Sequence, residues 1–305
     1  MSDAHDPGPP PARIAVDVER VRRLVADQFP EWAELPVAPV PASGWDNRTF
    51  RLGDALLVRL PSAAEYALAV PKEQRWLPRL APALPVPVPV PRAQGVPGSG
   101  YPFPWSVYEW IEGEPASSRP ARDPVELAED LAGFVAALQR VDASAGPRPG
   151  THNWFRGGSL LTYDAQTRRA LAELGDEVDH LAAARIWSRA LASRWDGTDV
   201  WFHGDLAPGN VLIRDGRLSA VIDFGTCGVG DPACDVASAW TLLPAEGRAA
   251  FRDRLAVDDG LWARGRGWAL WKALVTCVEH RGRTDRAAVD ARRALRGICA
   301  EHQDA

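Results

Sequence analysis

Lysine is nearly missing from this chain. Only Lys72 and Lys272 stand among its 35 basic residues, so arginine carries the positive charge and a lysine at any position is conspicuous. Cysteine is scarce: Cys227, Cys234, Cys277 and Cys299 show no paired metal-ligand spacing, which argues against a zinc site and fits a reducing cytoplasm. No apolar stretch reaches the roughly 18 residues of a membrane helix, because a charge, Gly or Pro interrupts every hydrophobic run. An excess of positive charge is also lacking. The formal net charge of -5 and isoelectric point of 5.7 give no basic footprint for nucleic acid, so neither a nucleic-acid nor a membrane partner is expected. The stretch Met1 to Pro11 is Pro-rich and polar, without the basic start and apolar run of a signal peptide, and residues 1–14 are expected to form a disordered tail.

What is present is an ordinary globular composition, 46% hydrophobic and 25% charged over 305 residues, long enough for two domains or one bilobal unit. Val18, Val21, Leu24 and Val25 recur at helical spacing between Val16 and Phe29, predicting an amphipathic first helix. Arg48 to Leu52 and Ala55 to Leu60, joined by Gly53-Asp54, predict a hairpin. Ala64 to Leu80 returns to helical spacing. The proline-valine run Pro82 to Pro91 predicts an extended connector, and Trp105 to Ile111 a buried strand. Val125 to Val141, Ala165 to Ala192 and the chain from Pro244 onward read as helical, with short strands between Val200 and Phe224. Strands gathered early and helices mostly later predict an α+β fold.

The chemistry concentrates in His203-Gly204-Asp205-Leu206-Ala207-Pro208-Gly209-Asn210 and Asp223-Phe224-Gly225. Phosphoryl transfer needs a carboxylate to orient an attacking hydroxyl and oxygen ligands for the metal that neutralises the phosphates. Asp205 and Asn210 share one loop. Val211 to Ile213 then leaves it as a strand, Asp215-Gly216 supplies a turn, and Leu218 to Ile222 carries Asp223 back to the loop. Taken singly, Asp205 reads equally well as a turn cap and Asp223 as a strand end. The set as a whole favours catalysis.

This constellation, with Gly230-Asp231-Pro232-Ala233-Cys234-Asp235 after it, resembles the aminoglycoside phosphotransferase family, whose members share the protein-kinase fold. Protein kinases carry H-R-D with the same Asp-to-Asn interval, and Gly204 in place of that arginine points to the small-molecule branch. The resemblance implies a bilobal molecule, with a nucleotide-binding N-lobe over residues 15–112 and a catalytic, acceptor-binding C-lobe over 113–305. It implies Asp205 as catalytic base, Asn210 and Asp223 as Mg2+ ligands, and His203 and Asp235 as supports of the loop. It further implies ATP or GTP as phosphoryl donor and a hydroxyl-bearing small molecule as acceptor.

For the nucleotide, Ser43-Gly44-Trp45-Asp46-Asn47 is similar to the family's short G-x-D-N loop, where Ser43, Gly44 and Asn47 would approach phosphate. Arg59 occupies the position of the family's strand lysine, with Glu73 on the next helix as its expected partner; a plain surface ion pair is the competing reading. Backbone near Glu109 and Ile111 is expected to meet the base. The segment Thr151 to Gly158 and the C-terminal helices are expected to wall the acceptor pocket, with Asp176-Glu177-Asp179 more often a solvated face. From Val236 onward nine acids stand against twelve basic residues, an unexpected balance for a polycationic acceptor. An antibiotic, a sugar-like compound or an amino alcohol all remain open as acceptors. So do a metabolic kinase of choline, fructosamine or homoserine type and a catalytically silent nucleotide-binding protein.

Overall fold

Residues Gly53 to Ala55 turn the chain back on itself, and everything in the N-terminal sheet follows from that reversal. The computed structural model describes residues 11–41, 44 and 46–300. Helix α1 (Val18–Gln28) is capped by Asp17, whose side chain accepts the Arg20 N–H at 2.8 Å. Strands β1 (Val37–Pro39), β2 (Asn47–Leu52) and β3 (Leu56–Pro61) follow, then helices α2 (Ala64–Ala67) and α3 (Ala69–Leu80), then strands β4 (Pro91–Gly95) and β5 (Trp105–Glu109). The five strands form one sheet in the order β1-β2-β3-β5-β4, antiparallel throughout.

Alternation along β3 assigns its two faces. Val58 and Leu60 are fully buried and join Val21, Leu24, Val25, Trp105 and Val107 in the cluster beneath α1. Each such side chain contributes roughly 1.5–3 kcal/mol by leaving water. Leu57 and Arg59 therefore face the other way, into a cleft.

The larger part of the chain is mostly helical. A two-residue strand β6 (Glu114–Pro115) leads to α4 (Pro124–Gln139), α5 (Asp164–Leu174) and α6 (His180–Ala192). Strands β7 (Val200–Phe202), β8 (Val211–Arg214), β9 (Arg217–Val221) and β10 (Gly228–Gly230) come next. Helices α7 (Ala233–Val236), α8 (Ser238–Thr241), α9 (Ala245–Leu255), α10 (Asp259–Glu279) and α11 (Arg286–Ala300) complete the fold. Helix α10 runs 21 residues, about 30 Å at 1.5 Å per residue, and packs against α5, α6, α7 and α11. A buried ion pair anchors it: Arg264 Nε donates to Asp231 Oδ2 at 2.8 Å, and Arg264 Nη1 to Ser193 Oγ at 2.9 Å.

Several boundaries differ from those the sequence predicts, the stretch Ala64 to Leu80 among them, which is α2 and α3 with Leu68 between. The helical stretch Ala165 to Ala192 is two helices, broken where Gly175 adopts φ +53° and ends α5. The connector Pro82 to Pro91 starts inside a 3-10 helix (Ala81–Ala83) rather than as extended chain, and gives its last residue to β4, an edge strand whose register shifts between Pro91 and Ala93. The strand predicted over Trp105 to Ile111 stops at Glu109. Residues 1–10 of the expected tail lie outside the described residues.

Candidate active site

A tight turn brings the motif residues together. Asp215 and Gly216 both have positive φ, +54° and +84°, as a two-residue type I′ hairpin requires, and they send β9 back along β8. The ladder ends with the Ile222 N–H donating to the Asn210 carbonyl at 2.8 Å, so Asp223 is returned beside Asn210. Asn210 Nδ2 donates to the Asp205 backbone carbonyl at 2.9 Å and to Asp205 Oδ2 at 3.3 Å. Its amide oxygen accepts no hydrogen bond among the described residues and both it and Asp223 line the same cavity.

The loop hangs on buried supports. Asp235 accepts the His203 N–H at 2.8 Å and the Gly204 N–H at 2.7 Å. His203 Nδ1 accepts the Asp205 N–H at 3.2 Å while Nε2 meets the Ile222 carbonyl at 3.0 Å, an arrangement that requires the neutral ring. Burial pushes its pKa down and keeps it so. Gly204 has φ +87°, and a Cβ there would lie 2.7 Å from the Thr226 carbonyl oxygen, which is why no side chain stands between His203 and Asp205.

Two cavities flank this loop. One, of 310 Å³, lies under the N-terminal sheet and is lined by Gly44, Asn47, Arg59, Glu109, Ile111 and Asp223 among others. Every nucleotide-contact position predicted from the sequence is on its wall, except Glu73 and Ser43. Glu73 lies buried behind Arg59, and Ser43 lies outside the described residues. Arg59 uses the fork of its guanidinium: Nη1 donates to Glu73 at 3.3 Å and Nη2 to Asp223 Oδ1 at 2.6 Å. Glu73 also accepts the Tyr108 hydroxyl at 2.6 Å.

The second cavity, of 300 Å³, opens on the other side of Asp205 between the Thr151 to Gly158 segment, α2 and α10. Tyr66, Trp154, Tyr163 and Trp271 supply rings; Asp46, Arg156, Lys272 and Glu279 supply charge. Asp46 comes from the G-x-D-N loop, Arg156 from the Thr151 to Gly158 segment and Lys272 and Glu279 from a C-terminal helix, all expected near a site, but none of the four is singled out by the sequence as a site residue. Lys272, on α10, forms an ion pair with Asp205 Oδ1. Arg156 donates to the Gly204 carbonyl at 3.2 Å and the Tyr163 hydroxyl at 2.7 Å, its guanidinium 4.7 Å from the Trp271 ring and 5.2 Å from that of Trp268. The signal for Lys272 was compositional, since lysine is almost absent elsewhere. The acidic run contributes nothing here: Asp179 caps α6 and Glu177 pairs with Arg281. Of the candidate stacking indoles, Trp240 and Trp268 are buried in the core, and Trp271, also largely buried, still reaches the cavity wall.

Comparison with known proteins decides the family. The profile of the phosphotransferase enzyme family matches residues 37–271. The chain belongs to that family. Its fold superposes on aminoglycoside 2'-phosphotransferase-IIIa in a GDP complex with a TM-score of 0.68, at 18% identity, covering 94% of this chain and 100% of that one. It also superposes on the apoenzyme of a macrolide 2'-phosphotransferase from Brachybacterium faecium with a TM-score of 0.58, at 26% identity, covering 92% and 97%. A gentamicin complex of a related aminoglycoside enzyme gives a TM-score of 0.61 at 18% identity, covering 92% and 96%.

In this phosphotransferase the carboxyls of the second cavity are driven in opposite directions. Burial pushes Asp205 up, but the adjoining Lys272 ammonium outweighs it and holds the carboxyl below its usual range. Burial, then the charges of Asp223 and Asp205, push Asp46 up to about 7 against Arg59 and Lys272. Burial likewise raises Glu279. Asp205 is thus the carboxyl of this group held most firmly as an acceptor.

Proposed function

We propose that this phosphotransferase moves the terminal phosphoryl group of ATP or GTP to a hydroxyl of a small molecule, with Asp205 as the catalytic base. The observation that carries the reading is the position of Asp205. It lines one cavity while touching Asn210, a wall residue of the other. A hydroxyl held in the second cavity would donate to the Asp205 carboxylate and present its oxygen toward a phosphate in the first. The new bond joins that oxygen to phosphorus, the bond to the nucleoside diphosphate breaks, and the hydroxyl proton passes to Asp205.

Asn210 and Asp223 have the hard oxygen donors that Mg2+ takes, two in number, so phosphate oxygens and water would complete the shell. The inward-turned Asn210 amide nitrogen, which leaves its oxygen free, supports this assignment. When bound, the ion supplies neutralisation of phosphate charge. Arg59 spans Glu73 and Asp223 and would set phosphate position, and backbone near Glu109 and Ile111 would meet the base. His203 and Asp235 act as loop supports. We assign residues 15–112 as the nucleotide lobe and 113–305 as the catalytic and acceptor lobe, with the acceptor an antibiotic, sugar-like compound or amino alcohol.

Product mass spectrometry after incubation with ATP or GTP, Mg2+ and a panel of hydroxyl compounds tests the reading. A product one phosphoryl group heavier, formed by the wild type and lost in Asp205→Asn, is expected. Protein that binds nucleotide yet transfers phosphate to neither an acceptor nor water would refute it and leave the silent-binder alternative.

A further inference from the structure

The second cavity has a charge arrangement that narrows the acceptor. Its carboxyls do not form an acidic bowl. Asp205 is already paired with Lys272, Asp46 is drawn toward the neutral form by burial, and Glu279 is exposed. Its two cations are fixed. Arg156 is tied to the Gly204 carbonyl and the Tyr163 hydroxyl under the Trp268 and Trp271 rings. The Lys272 side chain stays 38% exposed, so its ammonium faces whatever enters. The remaining wall is aromatic, with Tyr66 and Trp154 centred 5.7 Å apart and Tyr163 and Trp271 4.1 Å apart.

We propose that Lys272 is the acceptor-selecting residue of this site: clamped on Asp205, it admits a hydroxyl compound with little or no positive charge and a broad apolar face, and turns polycations away. The proposal rests on the phosphotransferase reading above. An incoming ammonium would meet Lys272 at close range; Asp205 is already paired, so of the wall carboxyls the exposed Glu279 is left to receive one positive charge but not several. Such like-charge contact in a partly buried site is a selecting element by repulsion. An uncharged ring or a macrocycle with a single amine would stack on the aromatic wall and place its hydroxyl at Asp205. Apart from Lys72, every other basic position of the chain is arginine, and Lys272 places a compact ammonium where the chain otherwise uses the planar guanidinium.

The test compares kcat/KM of the wild type, Lys272→Met and Lys272→Arg for an uncharged polyol, a macrolide and the polycation kanamycin. For the wild type, the preferred low-charge acceptor should exceed kanamycin by about 10²-fold or more, the scale of one close like-charge contact. Lys272→Met should narrow that ratio at least about tenfold, chiefly through a lower KM for kanamycin, with nucleotide KM unchanged. Lys272→Arg should keep the ratio within about threefold. A ratio unmoved in a folded Lys272→Met, or a wild type that prefers kanamycin, overturns the role of Lys272 and leaves the phosphotransferase reading standing. Nucleotide binding without transfer to any acceptor or to water overturns both.

Discussion

The Asp235 carboxyl accepts the backbone N–H of Gly204 at 2.7 Å, although 31 residues separate the two in sequence. With His203 bonded to the other oxygen, the start of the His203–Asn210 loop hangs from one fully buried acid that forms no ion pair among the described residues.

That isolation predicts a pH signature. Burial, against the two backbone N–H bonds, pushes Asp235 from 3.8 up to about 7. The folded chain therefore retains a proton that the unfolded chain has lost between those values, and stability from this group falls as pH rises through the window. At 1.36 kcal/mol per pH unit the difference is about 4 kcal/mol. Urea unfolding of the wild type and Asp235→Asn should show the wild type's advantage shrinking by that order from pH 4 to pH 7. A difference flat across the window would mean that the two N–H bonds hold Asp235 ionised.

Arg59 ties the sheet to the loop through Glu73 and Asp223. Arg59→Lys keeps a cation but gives up the fork, so a working enzyme with nucleotide KM raised roughly tenfold is expected. Arg59→Met leaves two carboxylates without their cation and should cost about 3–5 kcal/mol of stability. Steady-state kinetics and thermal melts read the two effects separately. If Arg59→Met proved as stable as wild type, the ion-pair network would not be structural.

Gly204→Ala joins two costs, a positive φ and a Cβ set 2.7 Å from the Thr226 carbonyl. Strain of this kind amounts to about 1–3 kcal/mol, or displaces the loop to avoid it. The variant should melt lower and lose kcat more than it gains in nucleotide KM. Activity and melting temperature both at wild-type level would show that the loop accommodates a side chain.

How much of this was legible in the sequence depended on separation along the chain. The β8–β9 hairpin and its cargo, Asp205, Asn210 and Asp223, could be read directly. Their approach depends on one Asp-Gly turn and a few strand residues. The orientation of Arg59 followed from alternation against Val58 and Leu60. Lys272 could not be read this way. It reaches Asp205 across 67 residues only because the Asp231–Arg264 pair and the packing of α5, α6 and α7 fix α10. Arg156 reaches Gly204 from 48 residues away through left-handed backbone at Trp154 and Phe155, which no side-chain pattern announces. The break at Gly175 was missed because flanking apolar residues keep helical spacing across it.

The central claim, that Asp205 acts on the chemical step, is tested most directly by kcat of Asp205→Asn measured by phosphorylated-product formation at saturating nucleotide and acceptor. Asn keeps the volume and the hydrogen bond from Asn210 but removes the charge and the basic oxygen. The pair with Lys272 is partly exposed on both sides, so its loss should change stability little. We predict a fall in kcat on the order of 10²–10⁴-fold, with nucleotide affinity and melting temperature close to wild type. A kcat within a few-fold of wild type, or a loss explained entirely by unfolding, would contradict the account.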